Sequence, residues 1–326
     1  MNTDLIAIRN GRAGVIALNR PKAFNALTLD MIDRFSAALE DFRNDDRVAA
    51  VVVKSTTDGT FCAGGDVRSI CRARRDGRDA EADAFFVQEF ALNERISRFE
   101  KPYVALIDGV CFGGGMGISI HGRHRVVGER ARLAMPETAI GYFPDVGATH
   151  FFNRLPAQTA RFLALTGYGL SPADALLTGL ATHFLAGDRH SEIESRLANG
   201  EPVETILQEP EPLQGQSRLS RHLEVVDRCF ATRDISSIVD ALRREGGAFA
   251  AEALDKLLRG APSSLDTTLG LLERTAGLSL AQCLAIELDL ALKVTRGRDF
   301  AEGVRALLVD KDRNPRWLAT GARHSS

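Results

Sequence analysis

The residues best suited to chemistry lie between Phe112 and Gly147, where FGGGMGISIHG is followed by LAMPETAIGYFPDVG. Consecutive glycines, Gly113 to Gly115, let a backbone approach a ligand closely, and two isolated acids, Glu137 and Asp145, follow in a largely apolar setting. Upstream, Phe61 to Asp66 reads FCAGGD, a second small-residue turn directly after an apolar run. A helix beginning near Gly114 would aim free N–H groups at a developing negative charge. The N–H of Gly65 would complete a two-donor oxyanion hole, each donor contributing about 3–4 kcal/mol to a transition state. With two carboxylates, this describes an enzyme that polarises a carbonyl and then moves protons or water. Blander readings stand beside it: the glycines permit only tight helix–strand packing, Glu137 is a surface acid, and Asp145 caps a helix beginning near Val146.

Other chemistries fit less well. A dinucleotide fingerprint needs a glycine at the sixth position, but counting from Gly113 or Gly115 reaches Ile118 or Ile120. No P-loop Gly-Lys-Ser/Thr follows. His121 and His124 lack the carboxylate partners of a metal site, so no metal is expected. Cys62 and Cys111 flank the glycine turns without a histidine in a nucleophile pattern, and read as buried thiols.

The elements that must position these residues follow from periodicity. Leu5–Arg9 and Gly14–Asn19 read as paired strands, and Val48–Lys54 as a buried one. Between them Leu29, Ile32, Phe35, Leu39 and Phe42 mark one buried helical face, with Thr28 as its cap. A helix over Ala82–Phe99 precedes strands at Tyr103–Ile107 and Arg125–Val127, and such alternation predicts an α/β fold. After Phe151 strand signals fade, Ser171-Pro172 opens a helix, and Asn199–Gln216 reads as an exposed connection. The expected organisation is a core over 1–190, a connection over 191–216, and a helical region over 217–326 that packs on the core and ends in a polar tail, Thr320–Ser326.

Composition sets outer bounds. The 326 residues are 44% apolar and 26% charged, with a net charge of −2, which gives no reason to expect nucleic acid or an anionic membrane as partner. No apolar run approaches the roughly 18 residues that span a bilayer. The five cysteines are odd in number and without CxxC spacing, which suits reduced thiols. The start, MNTDLIAIRN, reads neither as a secretory signal nor as a transit peptide, so a bacterial cytoplasmic enzyme is expected.

FCAGGD, FGGGMG and AMPETAIGYFPDVG together resemble the crotonase (enoyl-CoA hydratase/isomerase) superfamily. MPETAIGYFPDVG, the run from Phe162 to Phe184, and DFAEGVRALLVDKDRNPRW (Asp299–Trp317) resemble its 3-hydroxyisobutyryl-CoA hydrolase branch. The likeness extends from about Leu5 to Trp317. It implies a (ββα)n spiral core with a helical carboxy-terminal region, an acyl-CoA substrate and no separate cofactor because CoA is part of that substrate. It leaves the oligomeric state open, homo-oligomers being common because crotonase folds often assemble as trimers or pairs of trimers.

Residue by residue, Gly65 and Gly114 match the family's oxyanion donors, and Glu137 matches the carboxylate that hydratases and hydrolases share. Hydratases carry a second glutamate three residues beyond the middle glycine, where this chain has Gly117, which can neither deliver nor take a proton. Asp145 resembles the second acid of the hydrolases, and Glu89 one of their site-lining glutamates. The resemblance therefore implies hydrolysis of a short 3-hydroxyacyl-CoA, with 3-hydroxyisobutyryl-CoA in valine breakdown as the leading substrate. Glu137 acts as nucleophile or general base. An isomerase or atypical hydratase remains open, as does a non-catalytic CoA-binding subunit. Lys22 and Asn25 fall near the expected CoA site, although Asn25 also reads as a backbone cap and Asp66 as a helix N-cap. Lys293, Lys311 and Arg313 are further candidates for the nucleotide end of CoA.

Overall fold

The computed structural model describes residues 3–208, 211, 213 and 215–318, in two compact units. The expected tail Thr320–Ser326 lies outside the described residues.

The first unit comprises residues up to Asp66, Val87–Leu133 and Gly169–Ser220. It opens with β1 (Leu5–Asn10) and β2 (Ala13–Leu18), antiparallel from Leu5↔Leu18 to Asn10↔Ala13. β3 (Ala50–Ser55) joins β2 in parallel. From there strands come in pairs: β3 with β4 (Thr60–Cys62), β5 (Tyr103–Ile107) with β6 (Val110–Phe112), and β7 (His124–Val127) with β8 (Arg132–Ala134). The first member of each pair extends a six-stranded sheet, β1-β2-β3-β5-β7-β9, which β9 (His183–Phe184) closes. The second member builds a three-stranded sheet, β4-β6-β8. Helices Val67–Arg75 and Gly114–Ile120 follow the first two pairs in the chain, so strand–strand–helix is the repeating unit, as expected for the spiral.

Parallel strands covered on both faces read as continuous apolar runs, and all six residues of β2 are buried. One face meets the helix Leu29–Asn44, whose buried Met31, Ile32, Phe35, Ala38, Leu39 and Phe42 recur at helical spacing. Thr28 caps it as predicted, its Oγ1 accepting from Met31 N at 3.2 Å. A separate cluster joins Val15, Val52, Val104 and Val126 to Leu185, Ile193, Leu197 and Ile206. The last of these belongs to a helix, Val203–Leu207, inside the stretch that reads as an exposed connection. Its Val203, Ile206 and Leu207 are buried; the surrounding Pro, Glu and Gln outvote three apolar residues in composition but not in packing.

The second unit comprises Val67–Phe86, Ala134–Tyr168 and the chain from Arg221 on, and all its regular elements beyond Ala134 are helical. Helices starting at Pro262 and Leu280 carry recognisable start signals, proline in the first turn and a capping box between Ser279 and Gln282. An aromatic cluster centres on Phe162, with Tyr168, Phe230 and Phe249 at ring-centroid distances of 5.1, 5.3 and 5.5 Å.

Candidate active site

In the first unit the two glycine turns lie against each other. Gly64 and Gly113 adopt φ of 106° and 49°, a region open to glycine at little cost. Leu27 N donates to Gly64 O and Asp66 N to Leu27 O, both at 2.8 Å, so FCAGGD runs as a strand edge beside Leu27. The helix Gly114–Ile120 begins where the sequence places it, with Gly114 its first residue. A Cβ built on Gly114 would stand 3.3 Å from Gly65 N and would collide with Glu89 Oε1. Gly65, Gly114 and Glu89 therefore share one small space, and neither glycine N–H donates to a protein acceptor among the described residues. Glu89 is 2% exposed, on the helix Asp79–Ser97; Asn93, one turn further along, is fully buried. Gly117 is buried in the glycine helix.

The other residues singled out near this site divide. Asn25 is fully buried and its amide is spent inside the protein. Nδ2 donates to Ser55 Oγ and Phe61 O at 2.7 and 2.9 Å, while Oδ1 accepts from Arg20 N and Thr57 Oγ1 at 2.8 and 3.1 Å. Two donors and two lone pairs exhaust an asparagine, so Asn25 holds the turn and has no side-chain bond left for a substrate. Asp66, expected as a helix N-cap, directly precedes the helix Val67–Arg75, and its carboxylate pairs with Arg20 at 2.9 Å. Lys22 is exposed in the turn Pro21–Ala23. Cys62 and Cys111 are buried, and desolvation raises both thiols, Cys111 to about 12, which removes them as nucleophiles.

In the second unit the two acids are buried, Glu137 at 8% and Asp145 at 5% exposure, so Glu137 is not a surface acid, and the next helix, Ala148–Phe152, takes Gly147 and not Asp145 as its N-cap. Glu137 opens a short 3₁₀ turn, Glu137–Ile140, held from three directions. Thr138 Oγ1 donates to Leu165 O at 3.2 Å, Ala261 N donates to Thr138 O at 3.0 Å, and Gly303 of the helix Arg298–Val304 lies against Ile140. A Cβ on Gly303 would come within 2.5 Å of Ile140 O, so the carboxy-terminal motif includes a glycine because the Glu137 turn leaves no room for a side chain.

Asp145 takes a hydrogen bond from Tyr142 Oη at 2.9 Å. The tyrosine ring is fixed by Phe86, Phe143 and Phe300 at centroid distances of 6.0, 4.5 and 5.7 Å. Desolvation lifts the Asp145 carboxyl well above the usual range, and the Tyr142 hydroxyl only partly offsets this. The helix that follows starts at Ala148, with Gly147 as its N-cap.

One acid escaped the sequence reading. Glu287, on the helix Leu280–Val294, is fully buried and accepts from Gly147 N at 2.6 Å and from Thr149 N and Oγ1 at 3.0 and 2.6 Å. The available signal was an acid inside the apolar run CLAIELDLAL, where a helical face admits a buried position as readily as an exposed one.

Comparison with known proteins agrees with this geometry. The family model for enoyl-CoA hydratase/isomerase matches residues 13–324. The chain is 40% identical to a mitochondrial 3-hydroxyisobutyryl-CoA hydrolase of Danio rerio, across 97% of this chain and 85% of the relative. It is 38% identical to the Homo sapiens protein of that name, across 96% and 84%. Two solved structures superpose closely at 36% identity: an enoyl-CoA hydratase from Rhodobacter sphaeroides (TM-score 0.90, covering 96% of this chain and 92% of that one) and a carnitinyl-CoA dehydratase from Mycobacterium thermoresistibile (TM-score 0.91, 97% and 92%). The cytoplasmic placement expected from the amino terminus is overturned by the curated relatives, which are named as mitochondrial. Compartment is an address read by receptors and is not repeated in the packed core, so a few leading residues were a poor basis for it. Family model, identity and fold agree: the chain belongs to the enoyl-CoA hydratase/isomerase family and has the crotonase fold.

Proposed function

We propose that this protein hydrolyses a short 3-hydroxyacyl-CoA thioester, 3-hydroxyisobutyryl-CoA first among them, as a step of valine breakdown. The observation that carries the reading is the pair of changes at two positions: Gly117 where hydration needs a carboxylate, and a buried acid, Asp145, supplied by another turn. The curated relatives named as 3-hydroxyisobutyryl-CoA hydrolases support the same substrate.

The N–H groups of Gly65 and Gly114 stabilise the oxyanion that forms when the thioester carbonyl becomes tetrahedral. Glu137 supplies the attack by one of two routes. It adds to the carbonyl directly, giving a mixed anhydride that water opens, or it takes a proton from the water that adds. In both the C–S bond breaks, a C–O bond to water's oxygen forms, and the sulfur leaves as a thiolate that needs a proton. Asp145, which burial biases toward its protonated form, supplies it. CoA enters as part of the substrate, and no further cofactor is invoked.

The first test follows free-thiol release from 3-hydroxyisobutyryl-CoA beside crotonyl-CoA hydration. Fast thiol release with little hydration is expected; loss of the enoyl double bond without thiol would overturn the reading. Glu137→Gln should lower kcat about 10²–10⁴-fold while acyl-CoA still binds. A single turnover in heavy-oxygen water separates the routes, because only the anhydride labels Glu137.

A further inference from the structure

We infer that Glu287 is a positioning residue for this reaction: its buried carboxylate clamps the loop that presents Asp145 and sets a negative charge beside that acid. The inference rests on the role given to Asp145 above.

The loop needs a clamp. Val146 is fully buried with φ of 53°, a left-handed conformation that a β-branched residue rarely adopts, and Gly147 follows at 82°. Two successive left-handed residues turn the chain sharply between Asp145 and the helix Ala148–Phe152. They also point the N–H groups of Gly147 and Thr149 at one spot, which Glu287 fills from 140 residues away in the sequence. A buried strained turn persists only where its surroundings over-determine it, and three hydrogen bonds to one carboxylate do so.

The same bonds decide which acid carries the charge. Burial raises both carboxyls, and each opposes ionisation of the other. Glu287 receives three donors, and Asp145 two, from Tyr142 Oη and its own backbone N–H, so when the pair holds one proton the charge settles on Glu287 and the proton on Asp145. Among the described residues the recorded partners of the Glu287 carboxylate are neutral donors, with no cation. The other titratable groups on these helices are Cys283, one turn back on its own helix, His150, whose Nδ1 lies 3.3 Å from Leu278 O, and Asp289 and Lys293, which pair with each other at the surface at 2.7 Å.

The test is a pH profile of thiol release. Glu287→Gln loses the second acceptor oxygen and the charge, so kcat should fall roughly ten- to hundred-fold with KM little changed. Its alkaline limb should move down by about one pH unit, because Asp145 no longer has a charged neighbour. Thr149→Val, which keeps both backbone donors, is the milder variant should Glu287→Gln fold poorly; its limb should move the same way by less. Asp145→Asn should abolish the limb. Limbs that stay in place in both Glu287→Gln and Thr149→Val, in a protein that releases thiol normally, would overturn the inference. A wild type that releases no thiol would instead overturn the functional reading on which it stands.

Discussion

At the residue scale the site depends on atoms that are missing as much as on those present. Gly114 admits the approach of Gly65 and Glu89 only because it has no Cβ. Gly114→Ala would press a methyl on Glu89 Oε1 and on Gly65 N, disturbing both oxyanion donors together. We expect kcat for thiol release to fall by about 10²-fold or more with the fold intact by circular dichroism. Activity within a factor of a few of wild type would mean that these N–H groups are not the oxyanion donors. Asn25 shows the reverse case: every bond its amide can make is made inside the protein, so its value is the rigidity of the turn before FCAGGD.

At the element scale the decisive contact is between the helix Arg298–Val304 and the turn that carries Glu137. Close packing of backbone on backbone leaves no slack, since an added methyl must displace one element or strain both. Gly303→Ala should therefore cost about 1–3 kcal/mol in denaturant unfolding. It should also lower kcat, because the displaced element carries Glu137. Wild-type stability and rate together in that variant would show that the helix only covers the turn. This contact also explains why the likeness to the hydrolase branch extends into Asp299–Trp317, far along the chain from the acids it supports.

At the scale of the whole molecule the buried acid pair writes itself into the pH dependence of stability. An ordinary aspartate or glutamate titrates at about 4. Desolvation raises this pair, whose two protons are lost at about 7 and about 8, values that belong to the coupled carboxyls jointly. Groups whose folded values are raised contribute stability that is fully present below about 4 and is lost as pH rises through the folded values. Half-buried Asp45, held at about 2 by its hydrogen bonds with Arg47, and exposed Asp234, held there by Ser236 and Ser237, act in the opposite sense but only in acid. Between about pH 6 and about pH 9 the melting temperature should therefore decline by several degrees. The Asp145→Asn/Glu287→Gln double variant should follow a flatter curve, and parallel curves for the two proteins would show that the pair does not titrate there.

The sequence by itself determined the repeat of strands, the glycine turns and the first two acids. Periodicity reports burial along one element, as in the helix from Leu29, and motifs such as FCAGGD and FGGGMG compress a backbone geometry into adjacent letters. Set against the pattern of the hydratases that it resembles, it also argued against hydration, through Gly117. Short elements such as β4, β6 and Val203–Leu207 left too few residues for a period to be read. Only the tertiary structure decided that Asn25 is spent internally, that Asp66 pairs with Arg20, and that Gly303 exists to make room for Ile140. Only it brought Glu287 to Gly147 and Thr149, because a buried acid on a helix looks like any other acid until the groups that solvate it arrive from a distant part of the chain.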